Sequence, residues 1–362
     1  VVAYRGITGG NPFRRWASGS SENYPAVITS YWTDEGNYET EWYSPGVSSF
    51  DIDSAAKLAG VAVLVNNGVT FIDQRIILSQ NIALDAHEWV PIGKPATVTA
   101  SAQVFSGIFD GNGKTIAGLY VDGDSAVESA GLFGVLANAV VVNTALSDAD
   151  VMGMRTGGAI AGYSSEASIV ANNSCRGLVG TPVTGSGDSS AGGIAGLISE
   201  GTQLFNCWSD VVVDAAACGG IVGTSSANIS DQITHCYWKQ TGTSPYNLPA
   251  IADGMTSNCY TFTEAPGLLD LPPGAPPLTL SQALNSEVAS RFEVNGVVLY
   301  GWTAGSTAHY PMMTAQIRIG REPIAETLSE GFAAGMPPVQ ADNLVGIYIE
   351  AYPETTVATL GK

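Results

Sequence analysis

Gly131-Leu132-Phe133-Gly134, Ala159-Ile160-Ala161-Gly162, Gly193-Ile194-Ala195-Gly196 and Gly220-Ile221-Val222-Gly223 are four versions of one short phrase. Their closing glycines lie 28, 34 and 27 residues apart. A second phrase keeps step with the first, ending 10 to 13 positions beyond each closing glycine: Asn143-Thr144, Ser174-Cys175, Asn206-Cys207 and His235-Cys236. Two phrases in step through four units of similar length mark a stacked repeat, because no unit of this size can bury a core alone.

The content of the unit separates strands from helices. A helical repeat needs ten or more residues free of Gly and Pro with apolar positions at i, i+3 and i+4. Here the apolar segments are short, rich in Val and Ile, and bounded by Gly, Ser, Asn and Asp. Val140–Val142, Ser168–Ala171 and Val211–Val213 read as strand cores. The expected fold is all-β: a right-handed parallel β-helix, or solenoid, with short capping helices and a small C-terminal tail region. Neighbouring coils would then be ~4.8 Å apart. Leu132, Ile160, Ile194 and Ile221 should form one inward column, and Thr144, Cys175, Cys207 and Cys236 a second. Each buried aliphatic rung contributes roughly 1.5–3 kcal/mol.

These phrases resemble the GLUG-motif repeats of bacterial surface and secreted proteins, in which a Gly-Leu-Phe-Gly or Gly-Gly-Ile-x-Gly step precedes an Asn-Cys step. Upstream, Phe50-Asp51-Ile52-Asp53, Ala55-Ala56-Lys57-Leu58-Ala59-Gly60, Trp89-Val90-Pro91-Ile92-Gly93 and Phe109-Asp110-Gly111-Asn112-Gly113 are similar to the lead-in of the same family. The resemblance covers about residues 42 to 311. Thr144 departs from it, standing where the other units have Cys. It implies an extracellular bacterial module. Family repeats also accompany a metallopeptidase, but as a separate domain.

The chain divides into an irregular aromatic-rich lead-in or cap over 1–49, the β-helix over 50–265, a Pro-rich segment with helix and closing strand over 266–312, and a tail module or linker over 313–362. The lead-in carries Tyr4, Trp16, Tyr24, Tyr31, Trp32, Tyr38, Trp42 and Tyr43. The spacing predicts a capping helix near 53–66, started by Asp53 or Ser54 and ended by Asn66-Asn67-Gly68. Such a helix would plug the open end of the stack, which is otherwise an exposed sheet edge. Five prolines from Pro266 to Pro277, counting both ends, break the pattern, and Leu278–Phe292 reads as a second amphipathic helix. Farther on, Ile324–Glu330 has helical character and Val345–Ala351 reads as a strand.

Charge and cysteines narrow the function. With 14 Lys plus Arg against 33 Asp plus Glu, the net charge is −19, which argues against nucleic acid and anionic membrane as partners. No run of ~18 apolar residues predicts a membrane-spanning helix. No signal peptide is visible ahead of Val1, so the expectation is a mature or trimmed fragment whose signal and anchor lie outside it. The five cysteines include no Cys-x-x-Cys, so no zinc site, metal or cofactor is expected. Stacked Cys175, Cys207 and Cys236 act as small apolar residues, although adjacent coils would allow one bridge.

Chemistry-bearing candidates are few. Asp110-Gly111-Asn112-Gly113-Lys114 has the look of a calcium loop, but the closing position falls on Val121, so a tight turn is expected. His87, His235 and His309 are isolated, without a metalloprotease or nucleophile motif. Residues after an inward position point outward, so Arg176, Trp208 and Tyr237 should form a stripe on neighbouring coils. That stripe is the candidate ligand platform, for a glycan or for a host or bacterial surface protein, unless a loop or the tail covers it. Two carboxylates among Asp148, Asp150, Asp210 and Asp214 would be needed for a carbohydrate-active β-helix enzyme, a polysaccharide hydrolase or lyase. The expected function is a non-enzymatic extracellular bacterial surface module, adhesive or a structural stalk, with that enzyme as the alternative.

Overall fold

The computed structural model describes residues 28–122, 127–181, 189–199, 201–225, 232–239, 258–262, 267–306, 309–314, 317–319 and 347–349. Tyr4, Trp16, Tyr24 and the helix expected over Ile324–Glu330 lie outside the described residues.

The chain is mostly β, with several parallel sheets and two helices among the described residues. A first sheet of seven strands runs in the order Ser49–Ile52, Arg75–Leu78, Ile108–Asp110, Val140–Val142, Ile169–Ala171, Gln203–Phe205 and Ile233–Thr234. A second sheet of eight strands has as its central members Ala145–Met152, Ser174–Gly180, Trp208–Asp214 and Tyr237–Lys239, and ends at Tyr260–Phe262. Two four-stranded sheets complete the set. One contains Ser129–Ala130, Thr156–Gly158, Ser190–Gly192 and Ala217–Gly219, the other Phe133–Ala137, Ala161–Ser165, Ala195–Ile198 and Val222–Ser225. Every pairing within these four sheets is parallel. From Ser129 to Asp214, each strand pairs in parallel with the strand four places further along the chain.

Register explains the four phrases. Phe133 pairs with Ala161, Ala161 with Ala195, and Ala195 with Val222. The preceding residues Leu132, Ile160, Ile194 and Ile221 therefore occupy one position in successive layers, and all four are fully buried. The glycine requirement there is one of close approach. A Cβ on Gly158 would sit 2.2 Å from the Ala161 carbonyl oxygen and 2.5 Å from the Gly196 nitrogen. On Gly192 the equivalent distances are 2.2 Å to the Ala195 oxygen and 2.4 Å to the Gly223 nitrogen.

Helix α1 spans Ala55–Asn66, with Ser54 as N-cap accepting from the Lys57 amide at 3.2 Å. Leu58, Ala59, Val61, Ala62 and Val65 are buried in the main core. Asn66 pins its end to the chain beyond it, donating to the Pro91 carbonyl at 3.1 Å and accepting from the Gly93 amide at 3.0 Å. Aromatic rings continue from the lead-in into the core: Trp42 meets Phe71 at 6.4 Å, Phe71 meets Phe105 at 5.9 Å, and Phe105 meets Phe133 at 5.1 Å.

Helix α2 spans Leu280–Arg291 behind a capping box formed by Thr279 and Gln282. It leads into an antiparallel hairpin, Glu293–Val294 with Val297–Val298, a pairing the sequence reading did not anticipate. Asn295 and Gly296 form its tip with φ of 48° and 76°, the left-handed pair such two-residue turns require. Ile317–Ile319 and Ile347–Ile349 also pair antiparallel, which places a strand within 345–351.

Candidate functional site

Residues 267–306 and 309–314 fold back against the first and second sheets. A second apolar cluster forms there, outside the main core. It joins Val140, Val142, Ala171 and Phe205 from the outer face of the first sheet with Trp208, Tyr237 and Phe262 from the second, and covers them with Leu280, Leu284, Val288 and Trp302. The segment thus straddles the corner between two sheets.

That corner is a ladder of side-chain amides. Asn143, Asn172 and Asn206 are fully buried, with φ of 56°, 54° and 53°. This left-handed conformation is one that asparagine tolerates better than other side-chain-bearing residues. Asn206 Nδ2 donates to Asn172 Oδ1 at 2.8 Å, Asn172 Nδ2 to Asn143 Oδ1 at 2.9 Å, and Asn143 Nδ2 to Asp110 Oδ1 at 3.0 Å. Asp110 is held in turn by Arg75 at 2.6 Å. His235 and Asn258 continue the series with φ of 52° and 55°.

The covering segment reads the ladder directly. Asn143 Oδ1 accepts from the Tyr300 amide at 3.0 Å, and Asn143 Nδ2 donates to the Val298 carbonyl at 3.0 Å. Asn172 Nδ2 donates to the Tyr300 carbonyl at 2.9 Å, while its Oδ1 accepts from Trp302 Nε1 at 2.8 Å. The Tyr300 hydroxyl donates to Asn112 Oδ1. Burial, and then the charge of Asp110, push the Tyr300 hydroxyl up to about 12. Below the ladder, Asn258 Nδ2 and His235 Nε2 are 3.2 Å apart, and His235 Nδ1 lies 3.5 Å from the buried Glu287 carboxylate of α2. Arg291 binds the same carboxylate and stacks over Phe205 at 4.1 Å.

This geometry corrects two expectations. Trp208 pairs with Tyr237 and Tyr237 with Tyr260, so Cys207, Cys236 and Cys259 share one inward position. Ser174 pairs with Trp208, so Asn173, not Cys175, precedes them in that column, and Thr144 precedes Asn173. Cys175 lies two residues on, beside Leu146 and Ser209. The expected column of Cys175, Cys207 and Cys236 is therefore broken at its first member.

The second correction concerns the stripe. Trp208 and Tyr237 do lie side by side and point away from the main core, but they are only 3% and 2% exposed under the C-terminal segment. Burial, before the neighbouring thiols, pushes the Tyr237 hydroxyl well above its usual range. Arg176 pairs instead with Asp210 and stays open, its side chain 57% exposed. It forms a small patch with Asp210 at 3.9 Å and Tyr310 at 5.5 Å, where Lys239 also reaches Asp210 at 3.8 Å.

The four candidate carboxylates do not face one another across adjacent strands. Asp148 and Asp150 lie on Ala145–Met152, Asp210 and Asp214 on Trp208–Asp214, and the carboxylate-free strand Ser174–Gly180 runs between them. The backbones of the first pair are thus ~9.6 Å or more from those of the second across the sheet. Burial raises the Asp214 carboxyl, while Asp210 is occupied by Arg176 and Lys239. Asp110-Gly111-Asn112-Gly113-Lys114 is a tight turn, with φ of 51° and 67° at Asn112 and Gly113 and a 2.8 Å bond from the Lys114 amide to the Gly111 carbonyl. His87 bonds Ser30 at 2.6 Å and meets Trp32 edge-on, far along the chain from His235 and His309.

No protein-family model matches the chain, and no curated protein matches it. Among solved structures it is similar to that of a "putative immunoglobulin A1 protease" from Bacteroides ovatus. The likeness is 16% identity at a TM-score of 0.35, over 74% of this chain and 92% of that one.

The ladder was missed because cysteine drew the alignment. Matching on asparagine would have found it, since Asn143, Asn172 and Asn206 are 29 and 34 residues apart, in step with the glycines.

Proposed function

We propose that this chain is a right-handed parallel β-helix of the GLUG-motif kind, serving as a rigid structural stalk in an extracellular bacterial surface protein. One observation carries the reading: the corner where an aromatic stripe would meet a ligand is sealed by the chain's own residues 267–306, hydrogen-bonded to an amide ladder. Continuous parallel pairing along one side, with a lengthwise apolar interior, suits a part that holds distance. Adhesion, if the module adds it, falls to the exposed Arg176 patch and not to Trp208 and Tyr237.

A panel of glycans and polysaccharides, read for both binding and release of reducing ends, tests this. The stalk reading expects no turnover, and no binding that depends on Trp208. Turnover abolished by Asp210→Asn would overturn it in favour of a carbohydrate-active enzyme. Binding lost in Arg176→Ala, without turnover, would convert the stalk into an adhesive one.

A further inference from the structure

The inward column at the C-terminal end of the stack holds three thiols. Cys207, Cys236 and Cys259 occupy one position in successive layers, bonded through the Tyr237 amide to Cys207 O at 2.9 Å and the Tyr260 amide to Cys236 O at 3.1 Å. Parallel neighbours lie ~4.8 Å apart, within the Cα separation of roughly 4.4–6.8 Å that a disulfide spans. The Cys236 thiol is fully buried at the middle position of the three, and its Sγ donates to the Thr234 carbonyl at 3.4 Å. Its own amide also donates to Cys259 Sγ at 3.4 Å, which brings that sulfur against the Cys236 backbone.

Access breaks the symmetry of the column. Cys207 and Cys236 are fully buried, while Cys259 is partly exposed. The remaining cysteines have no cysteine neighbour in register: Cys175 lies beside Leu146 and Ser209, and Cys218 beside Ala191.

We infer that Cys236 and Cys259 form an oxidisable pair, which a small-molecule disulfide converts to a bridge stapling the last strand, Tyr260–Phe262, to the layer before it. The Cys259 thiolate attacks one sulfur of the small disulfide, forming a mixed disulfide and expelling one thiolate. The Cys236 thiolate then attacks Cys259 Sγ, forming the protein bridge and expelling the second. The two protein thiols are oxidised by two electrons, the small disulfide is reduced to two thiols, and those take up the two protons released. Burial pushes the Cys236 thiol well up, so the second step is the slow one. The inference is independent of the stalk reading.

The native chain is incubated with glutathione disulfide, denatured in acid, alkylated and digested without reductant. Chymotryptic cleavage after Trp208 and Tyr237 separates the three cysteines. The expected result is one linked pair, Cys236 with Cys259, with Cys175, Cys207 and Cys218 alkylated. Cys207→Ser should keep the link. Cys236→Ser should instead trap Cys259 as its glutathione adduct, and because Cys259 is partly exposed, Cys259→Ser gives a folded control with neither product. Full alkylation of both Cys236 and Cys259 after oxidation would overturn the inference. So would a Cys207–Cys236 link.

Discussion

Asn172 is the rung on which the amide ladder and its cover depend together, so replacing it offers the sharpest test of the corner. Its Nδ2 serves Asn143 and the Tyr300 carbonyl; its Oδ1 serves Asn206 and Trp302. Asn172→Ala leaves two buried donors, Asn206 Nδ2 and Trp302 Nε1, without this acceptor. At roughly 1–3 kcal/mol for each unsatisfied group, the loss is about 2–6 kcal/mol. A further ~1 kcal/mol follows from holding alanine at a φ of 54°. Asn172→Gly removes the conformational cost but not the orphaned donors, so it should recover only that smaller share. Asn138→Gly is the comparison: its φ is 52° and its side chain is exposed, so its midpoint should stay near the parent's. Urea unfolding followed by far-UV circular dichroism and tryptophan fluorescence gives the values. If Asn172→Gly unfolds at the parent midpoint, the amides contribute nothing and only backbone conformation selects asparagine there.

Gly192→Ala should destabilise by about 1–3 kcal/mol or more, because the new methyl would lie 2.2 Å from one backbone atom and 2.4 Å from another. Gly46→Ala, with open space around it, should be neutral in the same melt. Tyr300 supplies a pH signature. Its hydroxyl is held up to about 12 in the folded chain, against about 10 when unfolded. The folded state thus keeps a proton that the unfolded state gives up. Stability from this group is complete below pH 10 and is lost as pH rises toward 12. Tyr300→Phe should flatten that part of the alkaline slope, and an unchanged slope would refute the assignment.

How far residues spoke for themselves varied along the chain. The glycine phrases gave the layer spacing because a backbone carbonyl blocks any side chain at Gly158 and Gly192, so composition there is under direct steric control. Both helices were readable from caps and breakers: the expected 53–66 became Ala55–Asn66, and 278–292 became Leu280–Arg291. The cysteine column was misaligned by two residues because Asn172-Asn173-Ser174-Cys175 offers a cysteine near the expected spacing. The constrained residue is Asn172, whose left-handed φ no apolar pattern reveals. The outward direction of Trp208 and Tyr237 followed from alternation. Their covering did not, because it depends on a segment that returns from far along the chain.

That return sets an order of assembly. The bonds from Tyr300 and Trp302 to the ladder join residues 128 to 157 positions apart, while neighbouring layers close over only about 30. Short closures are favoured early, since the entropy lost in closing a loop grows with its length. On a chain emerging from its N-terminal end, layers can therefore stack while Asn143, Asn172 and Asn206 are still wetted by solvent. The corner dries only once residue 302 has been made, so sealing it follows the pairing of the sheets beneath it.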